Sequence, residues 1–341
     1  MTGSDKELYP NGEQIERRDI GPTRVGKRQK AKGFFKRFWW IFLILFIVGA
    51  LVITLPLIYV GFPRIAQHGV DQSYNEVTSL QFFNPTNESV EITQIVTLHS
   101  PSMYTPTLDS FTAGTYLVTN GQFASDPIID VQIPSVHVQH PTSTTSVTNQ
   151  TAKILNMDQL TDYATQVMIN ENVTTALVGS TKLHEGKLPV TTVQYNSSST
   201  YLGLNRLKGF NVTDIRIDPS NTLLILPNMN GTAYIPNPSV ITVELGNVSF
   251  VLATEKSGPI GHVEIQNMVI RPGDNNLPLT GVLNQTLALG NTVNGFLNIT
   301  ITGDSVIYNG EHITYYEKSL EANVLNLTLN VEQILKDSIG I

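Results

Sequence analysis

The pattern of apolar and polar positions divides the chain into one long uncharged block and a long series of short alternating runs. Residues Phe38 to Phe62 carry no charged side chain, and fifteen of the residues from Phe38 to Tyr59 are Ile, Leu, Phe or Val. At ~1.5 Å of rise per residue, a helix of this length exceeds the ~30 Å hydrocarbon core of a bilayer. Trp39, Trp40 and Tyr59 fall where interfacial aromatic belts form, and Pro56 lies near the distal end. The block therefore predicts a transmembrane signal-anchor helix at 38–62. A cleaved leader fits poorly, because the apolar core exceeds ~7–15 residues and no small-residue cleavage site follows.

Beyond the block the period changes to two. Val90, Ile92, Val96 and Leu98 share one face of a predicted strand, and Val131, Ile133, Val136 and Val138 form a run broken by Pro134. Residues 190–195 read as another strand. In Ile241–Leu252 the apolar phase slips at Gly246–Asn247, where one extra residue makes a β-bulge. Leu297, Ile299 and Ile301, and later Leu325, Leu327, Leu329 and Val331, alternate cleanly. One helix interrupts the strands: Asn156 caps it with Gln159 three residues on, and Met157, Leu160, Ala164, Val167 and Met168 form its apolar stripe. The first thirty residues are polar and aperiodic, so 1–37 reads as a disordered basic tail and 63–71 as a juxtamembrane linker.

Charge gives the block its direction. The net charge of −7 hides ten Lys/Arg against five Asp/Glu before the block and eleven against twenty-three after it. Arg24, Lys27, Arg28, Lys30, Lys32, Lys36 and Arg37 precede it without an intervening acid, and Arg64 alone lies close behind. The positive-inside rule keeps the N-terminus cytosolic, and these cations can also meet anionic lipid headgroups. Ten N-x-[S/T] sequons, at Asn87, Asn149, Asn172, Asn196, Asn211, Asn230, Asn247, Asn284, Asn298 and Asn326, all follow the block. Asn84 and Asn237 are excluded by proline at the middle position. The alternation around Asn298 and Asn326 turns both away from the apolar face, as glycan acceptors require. The acidic bulk is a poor match for a phosphate backbone, so nucleic acid is not an expected partner.

Candidate chemistry is sparse. The chain has no cysteine, which excludes disulfides, thiolate metal sites and cysteine nucleophiles. Among the seven histidines only His137 and His140 are close, and a spacing of three puts them on opposite faces of a strand. Asp126 with Asp130, and Asp158 with Asp162, are the available acid pairs, without a partner motif. No nucleophile elbow and no phosphate-cradling loop is present. The reading is of a non-catalytic protein with no cofactor and no metal site.

A weak internal repeat is visible. Phe82-Phe83-Asn84-Pro85-Thr86 before the strand at Val90 resembles Tyr234-Ile235-Pro236-Asn237-Pro238-Ser239 before the strand at Ile241, at a separation of 153 residues. Proline fixes φ and the Asn and Ser/Thr side chains bond to local backbone, so each segment turns the chain into a strand. The separation predicts two tandem β-sandwich domains, 72–205, which contains the amphipathic helix, and 206–341.

The run from Ile235 through Asn237-Pro238-Ser239 and Gly246-Asn247 to Phe250 resembles the fungal membrane family DUF3712. So do Tyr201–Asn205, Gly258–Gly261 and Val269–Gly273. The first repeat departs from the pattern, with Glu88 and Ser89 inserted and no Gly-Asn pair. The Asn-Pro-Ser/Thr entry into a strand is similar to the late-embryogenesis-abundant type 2 (LEA-2) domain. That resemblance implies a mainly β chain: one N-terminal transmembrane helix followed by two tandem immunoglobulin-like, LEA-2-like β-sandwich domains. It also implies a single-pass type II glycoprotein of the vacuolar membrane with luminal domains. The expected role is a protein-interaction or scaffolding module with a luminal protein partner. The alternative is lipid binding or transfer through an apolar groove, and a luminal hydrolase stands third.

Overall fold

The computed structural model describes residues 27–221 and 226–339, with side chains from Phe38 onward outside the gap. The chain forms two units, Met1–Leu57 and Ile58–Ile341. In the first, helix α1 (Lys27–Pro56) departs from helical geometry only at Phe38. Its side chains between Trp39 and Leu55 lie largely in the open, and an isolated helix with apolar groups all round belongs in lipid rather than water. Among the described residues one helical stretch, Phe38–Asp71, is long and apolar enough to cross a membrane. Of the expected tail, residues 1–26, which include Arg24, lie outside the described residues. Residues 27–37 are helical, continuing into the apolar block.

After a π-helical turn (Leu57–Gly61), the juxtamembrane residues 63–71 are helical and belong to α2 (Phe62–Asp71). The reason is a stripe at every fourth residue. Phe62, Ala66 and Val70 pack against Leu98, Leu108, Val138, Leu183 and Val193, a spacing that aligns them on one helix face.

The chain then lays down β1 (Tyr74–Phe83), β2 (Ser89–His99), β3 (Thr107–Leu108), β4 (Phe111–Thr119), β5 (Gln122–Phe123), β6 (Ile129–Ile133), β7 (Val136–His137) and β8 (Thr142–Lys153). Helix α3 (Met157–Ile169) follows, then β9 (Asn172–His184) and β10 (Thr191–Leu202). After a short turn at Asn205–Leu207 come β11 (Asn211–Ile217), β12 (Met229–Asn237), β13 (Ile241–Thr254), β14 (Gly258–Ile270) and β15 (Gly273–Leu283). The chain ends in α4 (Gln285–Gly290), β16 (Phe296–Tyr308), β17 (Glu311–His312), α5 (Thr314–Glu321), β18 (Leu325–Asn330) and α6 (Val331–Ile339).

These strands make two sheets in a sandwich-like arrangement. One runs β11-β12-β15-β14-β13-β1-β2-β8, with β16 also on β13 and β17 and β18 on β16. The other runs β5-β4-β9-β3-β7, with β10 on β9 and β6 on β4. The larger sheet draws strands from both sides of residue 205. The join is a parallel pair, Leu80 to Phe82 of β1 beside Ile241 to Val243 of β13.

Strand β13 hands one edge from β1 to β16, which pairs with Asn247 to Ala253. The change falls at the bulge the apolar phase predicts. Gly246 has φ +82°, and a Cβ there would stand 2.5 Å from the Ile307 carbonyl oxygen, so only glycine fits. The Asn156 side chain accepts the Gln159 N–H and caps α3 as expected, and the helix also buries Tyr163. One apolar core runs from Val77 and Ile92 to Val306 and Leu320. Burying a side chain such as Ile92 or Ile235 contributes ~1.5–3 kcal/mol.

The two Asn-Pro turns connect different things. Asn84 joins the paired strands β1 and β2, and its backbone N–H and side chain reach Glu244, Glu91 and Tyr308. Asn237 is buried and local: it accepts the Ser239 N–H and donates to the Ile241 carbonyl, turning the chain between strands that do not pair with each other. Ser239 Oγ donates to the Leu202 carbonyl, tying this turn to the end of β10.

Candidate ligand-binding cavity

The curved sheet β11-β12-β15-β14-β13-β16-β18 has apolar inward faces and two edges, β11 and β18, that no strand joins among the described residues. Period-2 alternation supplies the walls. Ile215, Ala233 and Ile235 line one side, Leu279, Val263, Ile265, Met268, Phe250 and Leu252 the floor, and Ile299 and Ile301 the other side. Ala288 and Leu289 of α4 close one end, and Leu207 and Phe210 stand at the other. The space enclosed is about 90 Å³, and among the described residues Gln285 is the one polar residue on its wall. Gln285 is already engaged, donating to the carbonyls of Asp218 and Asn221.

Helix α6 bridges the two edges. Strand β18 runs straight into it, with Asn330 accepting the Gln333 N–H as its cap. Its far end is held to β11 by Arg216 Nη1 on the Asp337 carbonyl at 2.6 Å and by the Ile217 N–H on Ser338 Oγ at 2.9 Å. The sequence pattern read Val331 as the last strand residue; the cap turns it into the first helical one. Val331, Ile334 and Leu335 face the cavity, yet none of the α6 residues is fully buried. Phe210, Val212, Ile217, Leu325, Leu327 and Leu329 are likewise only half-buried, so an apolar slot lies between the edge strands.

The interior of the first half is different. Two cavities of about 40 Å³ each, one of them at its seam with β13 and α5, share Phe82, Val90, Leu160 and Tyr163. Hydroxyls reach into them: Tyr163 and Tyr201 lie 3.0 Å apart, oxygen to oxygen, and Thr175 Oγ1 donates to Tyr201 at 3.4 Å. Tyr315 and Tyr316 of α5 line the cavity beside α3. Burial pushes the phenols of Tyr163, Tyr201, Tyr315 and Tyr316 above the ordinary tyrosine value, since the phenolate would be desolvated.

The residues singled out in the sequence do not converge on a catalytic constellation. Asp126, Asp130, Asp158 and Asp162 are all exposed, and Asp126 accepts from Ser125. His137 meets Thr107 Oγ1 and His140 meets the Ser100 carbonyl. Among the described residues no three metal-ligating side chains gather. His68 stands on α2, His137 and His184 both pair with Thr107 of β3, and His99 pairs with Tyr74 at the start of β1.

Of the sequon asparagines, Asn87, Asn149, Asn172, Asn196, Asn211, Asn230, Asn247, Asn298 and Asn326 are exposed, and Asn284 is half-buried as the cap of α4. Asn87 differs from the others, because its amide nitrogen donates to the His312 carbonyl at 2.8 Å. Lys27, Arg28, Lys30, Lys32, Lys36 and Arg37 occupy the first turns of α1. The sequence did not expose the cavity itself. The available signal was the stripe Val331, Ile334, Leu335 directly after an alternating strand.

Comparison with curated proteins finds no match. Among solved structures the chain is similar to the class 5 fimbriae chaperone CfaA (8% identity, 74% of this chain and 98% of that one, TM-score 0.16). It is also similar to the exo-chitosanase CsxA of Amycolatopsis orientalis (12%, 74% and 26%, TM-score 0.21) and to the periplasmic chaperone SfaE (10%, 70% and 95%, TM-score 0.17). Scores this low carry no argument about fold or function. The family comparison is more specific: residues 126–252, from the loop before β6 to Leu252 of the bulged strand β13, match the model of a protein family of unknown function, DUF3712.

Proposed function

We propose that this chain is a non-catalytic, single-pass membrane protein whose far-side region holds a single acyl chain in the open half-barrel closed by α6. The observation that carries the reading is the lining of the cavity, apolar except for Gln285 and continuous with a half-exposed apolar slot. An apolar cavity of this kind stays dry, and an engineered one of about 150 Å³ takes up benzene. Each methylene moved from water into such a site gains ~0.8 kcal/mol. The slot lets a polar headgroup remain outside while the chain lies along the leucines of β18. An N-terminus in the cytosol is supported by the cation run before α1, and a luminal far side by nine exposed sequon asparagines. The family resemblance points to the vacuolar membrane.

A photoactivatable fatty acid added to the full chain in lipid nanodiscs tests this. Crosslinks concentrated on β11, β18 and α6, and lost in Ala288→Phe, are the expected result. Crosslinks confined to α1 would sink the reading. A second reading rests on the edges of β11 and β18, which pair with no further strand among the described residues: a partner strand adds there beyond the α6 contact at Ile217, as exposed sheet edges accept peptides. That protein-interaction role predicts partner-dependent protection of the amides of β11 or β18 in hydrogen exchange, with no lipid in the cavity.

A further inference from the structure

The opposite end of the same unit carries an independent feature, a rim of exposed apolar side chains around the start of α2. Met103 is 88% exposed and Tyr104 61%, in the loop between β2 and β3; Leu188 and Val190, 39% and 52% exposed, belong to the loop between β9 and β10. Two neighbouring loops that both present large apolar groups to solvent mark a contact surface rather than scattered exposure.

The packing of α2 fixes which end this is. Val70 packs on the cluster of Phe111 and Tyr195, whereas Phe62 and Ala66 pack only on that of Leu183 and Val193. Gln67 sits between, its side-chain amide exchanging two hydrogen bonds of 2.8 Å with the backbone of Gln194. The helix thus runs along β10 in the direction of its numbering, and its start lies toward Thr191. The loop carrying Leu188 and Val190 leads into Thr191, and Thr107, which closes the loop carrying Met103, pairs with His184 just before it. Both loops therefore lie toward the Phe62 end of α2. Phe62 is also the last residue of the uncharged block that begins at Phe38. Chain continuity brings the rim within a few residues of the point where the hydrocarbon ends.

We infer that this rim is a membrane-contact surface: Met103, Tyr104, Leu188 and Val190 insert into the interfacial layer of the bilayer that the chain's own span crosses. The chemistry suits that layer, since Tyr104 joins an apolar ring to a hydroxyl that can stay among headgroups, and Arg64 and Lys187 supply flanking cations. The inference does not depend on what fills the half-barrel.

The absence of cysteine makes a clean test possible, because a single introduced cysteine is the sole labelling site. Polarity-sensitive probes at Met103→Cys and Leu188→Cys, in full chain reconstituted in phosphatidylcholine vesicles, are compared with Glu255→Cys in the distant β13–β14 turn. All three positions are exposed, so labelling leaves the core intact. The expected result is blue-shifted emission at 103 and 188 that is lost with a quencher on the lipid chains, and water-like emission at 255 insensitive to it. Probes at 103 and 188 that match 255 would overturn the inference. So would probes shielded from water-soluble quencher yet unaffected by the lipid-borne one, which would mean a protein surface instead.

Discussion

The two halves of the β-rich unit solve the burial of a sheet face differently. In the first half β1, β2 and β8 lie against a second sheet, with β1 on β10 and β8 on β6. Two sheets packed face to face fill the space between them, and between them lies a cavity of only about 40 Å³ bordered by Thr115, Thr175 and Tyr201; another of that size lies where α3 and α5 meet β13. In the second half one sheet curls on itself, and its covering layer is two short helices, α4 and α6, that bury few side chains. A single turn or two of helix cannot cover seven strands, so apolar wall is left over. The comparison teaches that the vacancy comes from topology rather than composition, since both halves use the same alternation of Val, Ile and Leu.

Mutations at apolar positions of the same alternating pattern should separate the halves. Ile92→Ala, in the filled core, should cost about 2–5 kcal/mol in denaturant unfolding. Leu327→Ala on the slot should cost less than half of that, because its side chain is only half-buried; equal losses would break the comparison. Gly246→Ala, at the hand-over between halves, should cost roughly 1–3 kcal/mol through its positive φ and the Ile307 carbonyl beside it.

Alkaline pH should act on the first half and its seam with α5. Tyr163, Tyr195, Tyr201 and Tyr316 have folded-state values raised by burial. Above the ordinary value near 10 the unfolded chain therefore loses protons that the folded chain keeps. Their contribution is complete below pH ~10 and is lost as pH rises beyond it, by up to ~1.4 kcal/mol per unit for each group. Unfolding midpoints measured between pH 8 and 11 check this, and Tyr201→Phe should flatten the decline. The smallest effect is Asn156→Ala, where loss of the α3 cap should cost ~1 kcal/mol without touching the second half.

Legibility followed the range of the interactions. The α3 cap, the bulge at Gly246 and the outward turn of Asn298 and Asn326 are set by residues within a few positions of one another, and the pattern alone located them. The parallel pairing of β1 with β13 brings together residues more than 150 positions apart, and no local pattern encodes it. Helix α2 was hidden because its stripe of Phe62, Ala66 and Val70 is interrupted by Gly69 and begins inside the apolar block. The cavity was hidden for another reason: Leu325, Leu327 and Leu329 read identically whether the layer opposite them is full or missing.

The claim that the vacancy is a site for an acyl chain meets its most direct test in native mass spectrometry of the full chain released from its membrane. The expected result is one retained lipid-sized adduct on the wild-type chain and none on Ala288→Phe. A wild-type chain that carries no lipid mass, indistinguishable from Ala288→Phe, would contradict it.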